Sequence, residues 1–300
     1  MLIFRSLLVF FAAITVSGAI GGNCLVLAGD TPVPVFVSIL PQAYFVERVG
    51  GHRVQVEVLV KPGGSPATYA PTAKQMARLA RSKVFFRIGV AFENTLMPKI
   101  SQSMKGLLIV DTREGLDLAE GGGHDYDEYT SVHYEKHDNG ELDPHIWMDP
   151  MLVKKQTAVI LKTLVELDPK GRSMYEANYK AFSADLDALD TRIREMLKPV
   201  FGKIVYVYHP AYGYFCRAYG LHQKAVETGG KDPSLKHLVR LIKEARKEDV
   251  RVIFVQPQFS QKKARSIARA IDGAVVTFDP LARDYMSNLE QVAEKLATLL

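Results

Sequence analysis

The chain has 300 residues, with 38 Lys and Arg against 33 Asp and Glu, a net charge of +5. Apolar residues make up 47% and charged residues 24%, which excludes a disordered chain, a collagen-like repeat or a disulfide scaffold. The length suffices for two domain-sized units, and no basic run is interleaved with aromatics, so nucleic acid is not an expected partner.

The first segment reads as an export signal. Arg5 is the only charge before Asp30, Leu7 to Val16 is a short apolar run, and Val26-Leu27-Ala28 offers a cleavage site, which places a signal peptide at 1–28. No later stretch is as long as a membrane helix, so a soluble, exported, periplasmic chain is expected. Cys24 falls in the leader. Gly21-Gly22-Asn23 before it does not favour a lipidated N-terminus, so an anchor at Cys24 is the minor reading. Cys216 is then alone among aromatic residues and reads as a buried small hydrophobe.

Beyond the leader, β-rich runs alternate with helical stretches. Strands are expected at 33–40, 54–60, 84–89 and 107–110, with helices at 42–49, 72–81 and about 93–103. The second half repeats the scheme, with strands at 204–208, 252–255 and 274–278 and helices at 234–247, 261–271 and 288–300. Strands separated by helices of this length imply an α/β fold with parallel sheets. Between the halves, 171–197 carries Tyr175, Tyr179, Phe182, Leu186, Leu189, Ile193 and Met196 at alternating spacings of four and three. No proline or internal glycine interrupts that stripe, so one helix of roughly 40 Å is expected. It is read as an intramolecular backbone joining two lobes rather than as a coiled-coil dimer. The expected division is an N-terminal lobe at 29–168, a linking helix at 169–199 and a C-terminal lobe at 200–300.

In open parallel sheets, ligands bind beyond the carboxyl ends of the strands. His209 follows the strand at 204–208, and Asp279 follows the strand ending at Phe278. His145 lies in Asp143-Pro144-His145-Ile146-Trp147-Met148-Asp149-Pro150, where Asp149 and Pro150 supply the N-cap and first position of a helix. Two imidazoles and a carboxylate suit Zn²⁺ or Mn²⁺. Taken singly, each residue has an ordinary structural role, as a hydrogen-bonded His or a turn-forming Asp. The segment 121–143 collects His124, His133 and His137 among seven acids, without hydrophobic period, and reads as a loop that can gather metal loosely as an auxiliary site. A Gly-x-Ser-x-Gly elbow, a His-Glu-x-x-His pair and a phosphate-binding Walker loop are all missing from the sequence.

Five stretches together resemble the zinc/manganese solute-binding proteins of ABC transporters, the ZnuA/TroA-like cluster A-I family. They are residues 62–71 (Pro-Gly-Gly-Ser-Pro-Ala-Thr-Tyr-Ala-Pro), 143–150, 208–215 (Tyr-His-Pro-Ala-Tyr-Gly-Tyr-Phe), 255–260 (Val-Gln-Pro-Gln-Phe-Ser) and 278–281 (Phe-Asp-Pro-Leu). The resemblance covers nearly all of the chain beyond the leader. It implies two (β/α)4 lobes joined by a rigid helix, with metal in the cleft between them and delivery of that metal to an ABC permease in the cytoplasmic membrane. A monomer is expected. The carried-over ligands are His145, His209 and Asp279. Ala67 stands where such proteins usually have a fourth ligand, His, and Gln256 stands where an acid is common. The rival readings are a divergent metallochaperone or interaction protein with a degenerate site and, less favoured because no general base accompanies the three residues, a metalloenzyme.

Overall fold

A computed structural model describes residues 31–119, 142–227 and 233–300. The expected leader with Cys24 and the three histidines His124, His133 and His137 lie outside the described residues.

The N-terminal half is built on four parallel strands: β1 (Val33–Val37), β2 (Val54–Val58), β3 (Val84–Arg87) and β4 (Leu108–Asp111). Helices α1 (Leu40–Gly50), α2 (Ala73–Leu79) and α3 (Ala91–Ser103) connect them. The C-terminal half repeats the arrangement with β5 (Ile204–Val207), β6 (His222–Ala225), β7 (Val252–Val255) and β8 (Ala274–Thr277). Its connections are α6 (Gly213–Ala218), α7 (Leu235–Lys247) and α8 (Gln261–Ala270). Between the halves run α4 (Pro150–Leu167) and α5 (Arg172–Leu197), and α9 (Tyr285–Leu299) closes the chain.

The strand orders are β2-β1-β3-β4 and β6-β5-β7-β8, the same order in both sheets. In each sheet the chain moves one way from the first strand and then returns past it, which creates a crevice between β1 and β3 and between β5 and β7. The central strands are continuous apolar runs, as both faces are covered by helices: Val252–Val255 is buried at every position. Strand β6 and helix α6 are additions to the sequence-based reading. The strand His222-Gln223-Lys224-Ala225 lies at the sheet edge with exposed and half-buried residues at its start, so no apolar run marks it.

The stripe on α5 does what its spacing requires. Tyr175, Phe182, Leu186, Leu189 and Ile193 are buried, and the helix packs on α1, α4 and α9 of its own chain, so the stripe is filled without a second copy. Its N-terminal end is fixed by Arg53, which makes a two-point contact of 2.7 and 3.0 Å with Asp168, while Tyr175 Oη donates to the same carboxylate at 2.6 Å. Arg53 holds the Asp168 carboxyl below its usual range. Burial, helped by the bond to Asp168, pushes the Tyr175 hydroxyl up to about 12.

One glycine is required by its surroundings. Gly89, just beyond β3, has φ +86°, and a Cβ there would collide with the Arg113 guanidinium. Arg113 is clamped on Asp111 at 2.9 and 2.7 Å, and the Gly89 amide donates to the buried Glu93 at 2.8 Å. The bare backbone thus lets an ion pair close over the carboxyl ends of β3 and β4.

Candidate metal centre

The site grows from strand register. Val207 of β5 pairs with Ala225 of β6 on one side and Phe254 of β7 on the other. Counting two residues onward places His209 level with Glu227 and Gln256. The ladder continues that far, since the Glu227 amide donates to the Tyr208 carbonyl at 2.9 Å. Glu227 Oε2 then lies 3.0 Å from His209 Nδ1. Gln256, which is buried, accepts from the His209 amide at 3.2 Å and donates to its carbonyl at 2.7 Å. That amide supplies both donor and acceptor, as a carboxylate at position 256 could not. Phe259 stacks on the imidazole with ring centres 5.0 Å apart. His209 is therefore held from both neighbouring strands at the reversal point of the sheet.

His145 arrives from the other side, on the segment that leads into α4. Asp149 caps that helix by accepting from the Met151 amide at 2.7 Å, and Pro150 occupies the first turn. Asp143 Oδ1 receives the His145 amide at 2.9 Å and lies 2.6 Å from His145 Nδ1. Tyr214 of α6 pins the segment: its hydroxyl donates to the Asp143 carbonyl at 3.1 Å and accepts from the Ala119 amide at 2.9 Å. The Asp143 amide in turn donates to the Ala119 carbonyl at 2.8 Å.

The two imidazoles meet with Nε2 to Nε2 at 3.3 Å. Each Nδ1 faces a carboxylate, an acceptor only, so each Nδ1 carries the proton and each Nε2 presents its lone pair. Two lone pairs at that distance repel unless a cation lies between them. Two Zn–N bonds of about 2.0–2.1 Å at a tetrahedral angle would separate the nitrogens by roughly 3.3 Å. Burial holds the His209 imidazole below its ordinary pKa of 6.5, with the hydrogen bond it donates to Glu227 opposing and nearby His145 reinforcing the shift.

Asp279 is placed differently. Its Oδ1 accepts from Gln258 Nε2 and from the Leu281 amide, both at 3.0 Å. The carboxylate lines a groove between the strand ends of the two sheets, with Val60, Lys61 and Gly63 on one wall and Gln258 and Arg283 on the other. Gln258 precedes Phe259, which stacks on His209, and Trp147 Nε1, two residues from His145, donates to the Pro280 carbonyl at 2.7 Å. Among the described residues, however, no three His, Cys, Asp or Glu side chains stand close enough to hold one ion. Of the three expected ligands the structure thus brings together His145 and His209 and leaves Asp279 at the groove wall, engaged by Gln258. Ala67 is exposed in the loop between β2 and α2, with its amide donating to Ser65 Oγ at 3.3 Å. Burial pushes the Cys216 thiol up to about 12, so it is not a thiolate ligand.

Glu227, which faces His209 Nδ1, is the residue of this cluster that sequence reading did not single out. Its signal is the register of β6, and β6 itself carries no apolar pattern.

The model of the family described as the periplasmic zinc-uptake complex component A, ZnuA, matches residues 35–299. The high-affinity zinc uptake system protein ZnuA of Yersinia pestis is 26% identical over 288 residues, covering 89% of this chain and 91% of that protein. A crystal structure of ZnuA is 37% identical with a TM-score of 0.82, covering 89% of this chain and 99% of that one. A zinc-bound ZnuA variant lacking its residues 138–173 superposes with a TM-score of 0.80 at 36% identity, covering 89% of this chain and 98% of its own.

Proposed function

Because the chain belongs to the ZnuA family of periplasmic zinc-uptake components, we propose that it captures a divalent metal ion outside the cytoplasmic membrane and hands it to an ABC permease. Zinc is the favoured cargo, with manganese as the alternative. The observation that carries this reading is the 3.3 Å approach of two imidazole nitrogens, each on a ring whose Nδ1 faces a carboxylate.

The chain's own residues supply three things. Asp143 and Glu227 fix the tautomer and the ring orientation, so both Nε2 lone pairs converge before the ion arrives. Gln256 and Phe259 hold His209 in place from the neighbouring strand and its loop. Asp279, at the end of β8 in the same sheet as His209, would join as third ligand when its carboxylate exchanges Gln258 for the ion. With Ala67 contributing no ligand atom, water completes the sphere. Three protein ligands and an exchangeable fourth position suit a carrier that must also release its cargo. The same ligand count serves catalytic zinc. Here both flanking carboxylates are bound to imidazole Nδ1 atoms instead of facing the open position, so a carrier is the better reading.

Zinc titration by calorimetry, on the parent protein and on His145→Ala and His209→Ala, tests the proposal. The expected result is one tight site in the parent and loss of that site in both variants. Tight binding that survives both substitutions would remove the imidazole pair as the centre.

A further inference from the structure

The outer face of the C-terminal half has a charge pattern that metal capture does not use. Between Ser234 and Asp272 the sequence has ten Lys and Arg but four Asp and Glu, a surplus of six, while the whole chain carries +5. All ten cations are exposed. The segment includes α7 and α8, which cover the same face of the second sheet and share one apolar cluster beneath them.

On α7 the pattern is sharper. At 3.6 residues per turn, Leu235, Lys236, Val239, Arg240, Lys243, Arg246 and Lys247 fall within one arc of roughly 140°. That arc holds no acid. Leu235 and Val239 are 77% and 60% exposed, although their neighbours Leu241 and Ala245 supply the core face. The acids are drawn to the flank and tied up: Glu248 pairs with Lys224 at 2.7 Å and Glu244 lies 3.7 Å from Arg240. Asp249 pairs with Arg251 at 2.6 Å. Exposed aliphatic side chains ringed by cations form the pattern of a helix lying on an anionic interface, where the apolar tips enter the headgroup boundary and the cations meet phosphate. The N-terminal end of α7 also follows the carboxyl end of β6, the sheet end that carries His209 and Glu227. The two aliphatic residues thus lie toward the same end of the molecule as the metal groove. Among the described residues no helix is long and apolar enough to cross a membrane, so contact would be peripheral.

We propose that the α7 face, through Leu235, Val239 and the surrounding Lys236, Arg240 and Lys243, docks on anionic phospholipid headgroups. Such docking would hold the carrier at the membrane surface with its groove end turned toward the bilayer. This goes beyond metal capture and does not depend on it.

Flotation of the purified protein with phosphatidylcholine vesicles, with and without phosphatidylglycerol, tests the proposal. Binding is expected only to the anionic vesicles and is expected to weaken at high salt. The charge-reversed variant Lys236→Glu/Arg240→Glu/Lys243→Glu should lose at least about fivefold per cation, roughly a hundredfold or more in all. Leu235→Ser/Val239→Ser should reduce the fraction that persists at high salt. A control, Lys155→Glu/Lys162→Glu on α4, should bind as the parent does. All these positions except the two aliphatics are exposed charges, and circular dichroism with a thermal melt verifies the fold of each variant. Equal binding to neutral vesicles, equal loss in the control, or no binding to either vesicle would overturn the proposal, the last pointing to a protein partner for this face.

Discussion

At the residue scale, the imidazole pair is controlled by what touches its outer nitrogens. Glu227→Gln keeps an acceptor for His209 Nδ1 but removes the charge that raises imidazole basicity, so zinc affinity is expected to fall about tenfold by calorimetry. The pH dependence follows from His209. Its folded pKa is lowered from 6.5, and the neutral ring is the ligand. Zinc affinity should therefore hold from pH 8 to about 6.5 and decline as pH falls through the lowered folded value. Stability has the same sign. Below pH 6.5 the unfolded chain takes up a proton that folded His209 resists, so the metal-free protein loses stability as pH drops from 6.5 toward the folded pKa. A melting temperature that rose over that interval would contradict this. At Ala67, restoring an imidazole by Ala67→His is expected to tighten zinc binding on the order of tenfold or more. Equal affinities would mean that another protein ligand already fills the fourth position.

At the scale of elements, the long helix and the two sheets carry the energy. Leu186 is fully buried on the α5 stripe, so Leu186→Ala should cost about 3 kcal/mol in denaturant unfolding. Gly89 is constrained in two ways, by its φ of +86° and by the Arg113 guanidinium over it. Gly89→Ala should cost about 2 kcal/mol or more, and Gly89→Ala with Arg113→Ala should recover part of that loss. Full additivity of the two substitutions would show that the backbone conformation alone matters. The missed strand β6 teaches the more general point at this scale. Its edge position needs no apolar alternation, yet its register sets the partner of His209.

At the scale of the molecule, the proposed metal site draws one imidazole from the segment before α4 and the other from the second sheet. His209 and Asp279 both follow strands of the second sheet and His145 precedes α4, so on the proposed reading the third bond needs the Asp279 carboxylate to turn from Gln258 toward the imidazole pair. The two halves are tied by the 2.7 Å bond from Trp147 to the Pro280 carbonyl and by the 2.6 Å contact of Arg283 with Glu47. Zinc at about a hundred times its Kd should stabilise the protein by roughly 2.7 kcal/mol, visible as a higher melting temperature. Asp279→Ala should keep the imidazole cradle and lose most of that gain. An unchanged zinc-dependent melting shift in this variant would remove Asp279 from the ligand set.

Much of this was legible in the sequence, where the signal is local. Continuous β-rich runs marked seven of the eight described strands, the four-three stripe marked α5, and Asp149-Pro150 marked the start of α4. Histidine and aspartate directly after strands marked the end of the sheets where the proposed site lies, because the carboxyl ends of parallel strands are where backbone and side chains open to a ligand. Tertiary structure alone decided the rest. Which carboxylate orients His209 depends on strand order and register across 18 residues, and which wall carries Asp279 depends on how two sheets face each other. The separation of two imidazoles 64 residues apart, 3.3 Å, is likewise a product of packing. Local propensity is written residue by residue, whereas the geometry of a metal site is a distance between atoms that only the folded chain brings together.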